Sequence, residues 1–201
     1  MSNHDAKETR EKSKDALKAV YYVIIGLAIT EGLSKIFLCE GTFRGLQVFD
    51  SSRLPYTLLL IFALMPTICR FVHGASIHLD MYSEKYYKPL LDFICFLIQA
   101  SLFYMMAITL DRPLYFLVFF MGMLLFDAVW LIVLIKVKYI KFDSTNKQWL
   151  WSDSTVIFLF FLIFLKDRTI SRPLSVAMIC IVSMIATCLD YYMNKKFYFP
   201  E

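Results

Sequence analysis

The chain has 201 residues, 59% hydrophobic and 17% aromatic, with a mean hydropathy of +0.59. Soluble domains hold about 45–50% apolar residues, so this excess, gathered in long apolar runs, excludes a soluble globular protein and leaves no room for a soluble catalytic domain. The net charge of +4 is small and its basic residues are scattered among loops, which argues against nucleic acid as a partner.

Residues 1–18 form a polar segment of both charge signs, expected to be a cytosolic helical lead-in, with Glu8 and Lys12 in the favourable i,i+4 order. A cleavable signal would have a short basic start and a small-residue cleavage site. The first apolar run, 19–38, is therefore expected to stay in the membrane as an anchor. It has the length a helix needs to cross the hydrocarbon core, yet it carries Glu31 and Lys35. The following loop contains two glycines and Asp50-Ser51-Ser52. Span two is expected over 55–74, opened by Pro55, with a kink at Pro66. Arg70 and His73 lie near its end, and His78 lies beyond it. Both histidines are expected at the surface, five residues apart and so off the i,i+4 spacing of a helical metal pair.

Span three is expected over 89–110 and span four over 114–135, separated by the turn Asp111-Arg112-Pro113. Span four is the most apolar stretch, broken only by Asp127. A basic loop follows, with Lys136, Lys138, Lys141 and Lys147. Span five, 149–165, opens on the polar WLWSDST and is continuously apolar only from Val156. Span six covers 173–192, opened by Pro173. The remaining residues, 194–201, read as a short cytosolic tail.

The fold class is thus all-α, a polytopic membrane protein whose helical domain covers 19–193. Six crossings place fourteen Lys and Arg on the side of the chain ends and seven on the other. The positive-inside rule then makes both termini cytosolic. The expected home is a bacterial inner membrane. Cys39, Cys69, Cys95, Cys180 and Cys188 include no CxxC pair and are expected as packing residues, with no disulfide framework or metal site. No catalytic motif is present, and no enzyme activity or cofactor is expected.

The functional reading rests on intramembrane polar residues, which are costly in lipid and usually face a bundle interior or a wet cavity. Glu31 either pairs with Lys35 one turn away or faces a pore, with Thr30 beside it. Ala28 and Gly32 have the small-xxx-small spacing that lets helices approach. Span one is accordingly the candidate to meet copies of itself, where repeated Glu31 would form a cation-selecting carboxylate ring. Asp127 is either protonated or bonded to a polar group such as Gln99. Arg70 is expected to pair with Asp92, with Asp190 as a rival partner.

Six spans in a chain of this length resemble the bacterial relatives of the lysosomal potassium channels, which are tetramers. Their first span carries Phe-Ser-x-x-Asp where this chain reads Gly26-Leu27-Ala28-Ile29-Thr30-Glu31, so no site residue is carried over. Three functional expectations follow. The first is a homo-oligomeric channel or pore. The second is a membrane anchor or sensor, in stress response or phage defence, recruiting a soluble partner through Lys136, Lys138, Lys141 and Lys147. The third is a small proton-linked transporter using Asp127 or Glu31.

Overall fold

A computed structural model describes residues 3–39, 42–43, 53–86, 89–137, 140, 144–166 and 172–199. Helix α1 covers Asn3–Phe37. A two-residue clip follows, β1 (Leu38–Cys39) antiparallel to β2 (Thr42–Phe43), with Leu38 opposite Phe43. Helix α2 (Leu54–Leu59) passes through a π turn (Leu60–Leu64) into α3 (Met65–Tyr86). Then come α4 (Pro89–Ile108), α5 (Pro113–Lys136), α6 (Ser144–Lys166), α7 (Arg172–Met193) and the single-turn α8 (Lys195–Tyr198). Six of these segments are long and apolar enough to cross a membrane: Glu11–Phe37, Leu54–Asp80, Leu90–Ile108, Pro113–Lys136, Thr145–Lys166 and Arg172–Met193. The protein is an all-α polytopic membrane protein.

The helix starts have a simple local cause. Pro55 and Pro113 occupy first turns, where the missing N–H costs nothing. Pro66 is handled differently from the kink expected of it. The turn before it widens, so that the Met65 N–H bonds back to the Leu60 carbonyl, five residues away. A proline ring crowds the carbonyl of the preceding turn, and the π turn makes room. The Thr67 hydroxyl donates to the Ala63 carbonyl at 2.7 Å.

The expected spans differ from the helices mainly at their ends. The polar lead-in is continuous with α1. Lys14 and Lys18 reach Asp80 of α3 at 3.1 and 2.9 Å. The second span runs on to Tyr86 rather than ending at Gly74, which puts His73 and His78 inside a packed helix. The fifth span is one unbroken helix, and in its polar first third Asp153 turns inward while Trp151, Ser154 and Thr155 are exposed.

Around the bundle the spans run in the order α1, α4, α5, α6, α7, then α2–α3 back against α1. An even number of crossings brings both chain ends to one side, here called the near side. The core is aromatic and aliphatic, with Phe96, Phe103, Phe116 and Phe160 fully buried. Leu125, Val129, Ile132 and Val133 of α5 are exposed. Lipid is as apolar as the interior, so such a helix is hydrophobic all round. Gly32 faces the π turn, and a Cβ there would lie 2.8 Å from Leu60 Cδ1.

On the far side, the Lys35 ammonium reaches the Asp111 carboxylate at 2.7 Å and also donates to the Ile108 carbonyl. Arg172 donates to the Asp111 carbonyl. Partial burial opposes ionisation of Asp111. The hydrogen bond and charge of Lys35 outweigh it and hold the carboxyl below its ordinary range.

Candidate functional site

Arg70 sits on the second turn of α3 after the π turn and is buried. A buried guanidinium is tolerable only when its charge and donors are met. Its Nη2 lies 2.7 Å from Asp153 Oδ1 on α6, and its Nε lies 3.0 Å from Asp190 Oδ2 on α7. Both carboxylates are inaccessible to solvent, at 1% and 0% side-chain exposure. The Phe71 ring lies 5.0 Å from the guanidinium carbon.

The arrangement extends in both directions from this centre. Asp190, Asn194 and Tyr198 are spaced four apart and share one helical face. The Asn194 amide donates to Asp190 Oδ1 at 2.8 Å, and the Tyr198 hydroxyl donates to Asp190 Oδ2 at 2.6 Å. Burial first, and the neighbouring Asp190 charge second, hold the Tyr198 phenol protonated well above its ordinary range. In the other direction, Asp127 on α5 lies close enough to Asp153 for the two carboxyls to interact electrostatically. The Gln99 amide donates to Asp127 Oδ1 at 3.3 Å, and the Tyr21 hydroxyl donates to Gln99 Oε1 at 2.9 Å. One polar chain therefore runs from Tyr21 on α1 through α4, α5, α6 and α3 to α7 and α8, touching all six spans.

A cavity of about 70 Å³ lies along this chain. Arg70, Gln99 and Asp127 line it deep in the bundle, and Trp149 and Tyr198 line it nearer the chain ends. Its remaining walls are largely aromatic and aliphatic. The edge of Trp130 meets Phe96 at 5.0 Å between ring centres, and Trp149 meets Phe197 at 4.6 Å. Among the described residues, the indole N–H groups of Trp130 and Trp149 are buried with no hydrogen-bond partner.

The expected site residues fall into three groups. Asp127, Gln99, Arg70 and Asp190 come together in the polar chain. Asp92 does not join them, which corrects its expected pairing with Arg70. Its Oδ1 lies 3.7 Å from His78 Nε2 instead. His78 is eight residues beyond Arg70, about 12 Å along the axis, and that is the level of the first turn of α4. Asp92 is also placed at a helix N-terminus, which favours a carboxylate. His73, expected at the surface, packs against the rings of Tyr191, Tyr198 and Phe199.

Glu31 and Lys35 do not form the intrahelical pair. Lys35 is drawn to Asp111, because the α4–α5 turn meets the end of α1. Thr30 is on the exposed outer surface of α1, and Glu31 is half-buried. Ala28 and Gly32 are packed within the chain. Lys136 and Lys147 are exposed near the chain-end side, while Lys138 and Lys141 lie outside the described residues.

Asp153, Tyr21, Asn194 and Tyr198 were missed by sequence reasoning. Asp153 could have been found from its charge inside a helix of spanning length. Asn194 and Tyr198 could have been found by continuing the four-residue spacing from Asp190 past the end of the apolar run. Among the described residues no group of three or more His, Cys, Asp or Glu is arranged to hold a metal ion. No known family model matches the chain, and neither a curated protein nor a solved structure matches it.

Proposed function

We propose that the protein is a small proton-linked transporter whose proton-bearing group is Asp127. The observation that carries this reading is the charge count in the polar chain: the buried Asp153 and Asp190 and the half-buried Asp127 stand along it with one guanidinium, Arg70. Full ionisation would leave two uncompensated negative charges in a low-dielectric interior, at a cost of several kcal/mol each. The cluster holds protons, and Asp127 is its member beside the cavity. Intramembrane carboxyls in such places serve as proton relays.

A pore lined by α1 on a symmetry axis draws less support. The small residues that would bring copies together are packed inside the chain, and Thr30 lies on its outer surface. Recruitment of a soluble partner through the basic loop rests on exposed Lys136 and Lys147 alone.

The test is proton movement into liposomes carrying the purified protein, followed with a trapped pH-sensitive dye under an imposed pH gradient. Asp127→Asn keeps a hydrogen-bonding side chain of the same shape and removes the exchangeable proton. Loss of flux in that variant, with the protein still folded, supports the assignment. Equal flux in both proteins, or none in the wild type, overturns it.

A further inference from the structure

We infer that the cavity beside Asp127 is filled with water, and that this water is the route by which protons reach the carboxyl from the near side. The inference rests on the proposed proton-linked function for its purpose, but its physical basis is separate. Trp130 and Trp149 come from different helices, both line the cavity, and both indole N–H groups are buried without a partner among the described residues. Trp130 is only 8% exposed. An indole N–H is a donor with no acceptor capacity, and leaving one unsatisfied in the interior is costly. Two such donors on one cavity call for an acceptor inside it.

The candidates narrow quickly. An anion would sit beside Asp127 and a cluster with more carboxyl groups than cationic ones. A cation would leave both indole donors unmet. Water accepts from the indoles and donates to the carboxyl, and the cavity's volume of about 70 Å³ holds several molecules. The walls extend from Gln99 and Asp127 to Trp149 on the second turn of α6 and Tyr198 on α8. A file of water there spans the depth between the carboxyl and the near-side surface.

The experiment uses the whole wild-type protein in lipid nanodiscs, labelled with ¹⁵N at its three tryptophans. The indole signals are assigned by the single variants Trp130→Phe, Trp149→Phe and Trp151→Phe. Trp151, 76% exposed on the outside of a spanning helix, gives the third signal, and free N-acetyltryptophanamide in the same buffer is the unprotected reference. On transfer to deuterium oxide, hydrated Trp130 and Trp149 indoles exchange on the time scale of that free reference. Protection of both relative to that reference means a dry cavity and overturns the inference.

Proton flux supplies the second arm. Trp130→Phe and Trp149→Phe keep a ring but remove the donor, and together they are expected to slow flux about tenfold, as loss of a buried hydrogen bond allows. Unchanged flux in that double variant, with Asp127→Asn still inactive, rejects the water route and leaves the assignment of Asp127 standing. Unchanged flux in Asp127→Asn rejects the assignment itself, whatever the indoles show.

Discussion

Replacing Arg70 by leucine tests whether the polar chain is held together by charge. The substitution removes a guanidinium bonded at 2.7 Å to Asp153 and at 3.0 Å to Asp190, both fully buried. Breaking a buried ion pair by deleting one partner costs about 3–5 kcal/mol, because the remaining charge is left without compensation. For a chain of this size each kcal/mol lowers the melting temperature by about 2–4 °C. The expected fall is therefore about 6–20 °C, read by near-UV circular dichroism in detergent. A second variant separates charge from lost packing. Adding Asp153→Asn and Asp190→Asn to Arg70→Leu neutralises the orphaned carboxylates and should recover at least about 2 kcal/mol, a coupling typical of residues in one network. An Arg70→Leu cost below about 1 kcal/mol, or effects that simply add across the triple variant, would refute the reasoning.

Four further outcomes are expected. Gly32→Ala places a methyl 2.8 Å from Leu60 Cδ1 and should cost about 1 kcal/mol. Gly26→Ala, with open space around it, should be neutral or stabilising by up to about 1 kcal/mol; equal effects in thermal melts would contradict the close approach of α1 to the π turn. Tyr198→Phe removes a 2.6 Å bond to a charged acceptor and should lower stability by about 1.5–3 kcal/mol in the same melts. The folded Asp111 carboxyl titrates below its unfolded value, so its contribution is complete above about pH 4 and is lost as pH falls through the folded value. Asp111 is 45% exposed on its side chain, which limits that contribution to at most about 1 kcal/mol. Asp111→Asn should therefore weaken the protein at pH 6, and the difference from wild type should shrink as pH falls below about 4.

The spans were legible because each is an apolar run of crossing length, and proline punctuates four of their starts. Their ends were less legible. Beyond Gly74 the chain turns polar while the helix continues, since α1 and α4 still pack against it and Asp80 meets the lysines of α1. Asp127, Gln99, Arg70 and Asp190 stood out as polar residues in apolar runs. Their partners did not, because pairing depends on which helices are neighbours around the ring and at what depth, and sequence spacing reports neither. Arg70 and Asp92 were matched on adjacency in the chain. The helix continuing past Arg70 sets them at different levels and hands Arg70 to α6 and α7. Asp153 was hidden by its surroundings, since the polar and aromatic opening WLWSDST does not say which of its residues turns inward.

The π turn at Leu60–Leu64 acts as a phase adjustment for everything after it. Each residue of an α-helix advances about 100° around the axis, and a π turn takes up one extra residue without adding a full step of rotation. Arg70, Gly74 and His78 thus owe their inward azimuth to an irregularity one turn or more before them. Rewinding 60–64 to regular α-helix with every residue kept would add the missing rotation and turn the downstream face relative to α1 and α2. Such a rewinding would swing Arg70 away from Asp153 and Asp190 although no member of the polar chain had been changed. The winding of this short segment is therefore as much a determinant of the site as the identity of its charged residues.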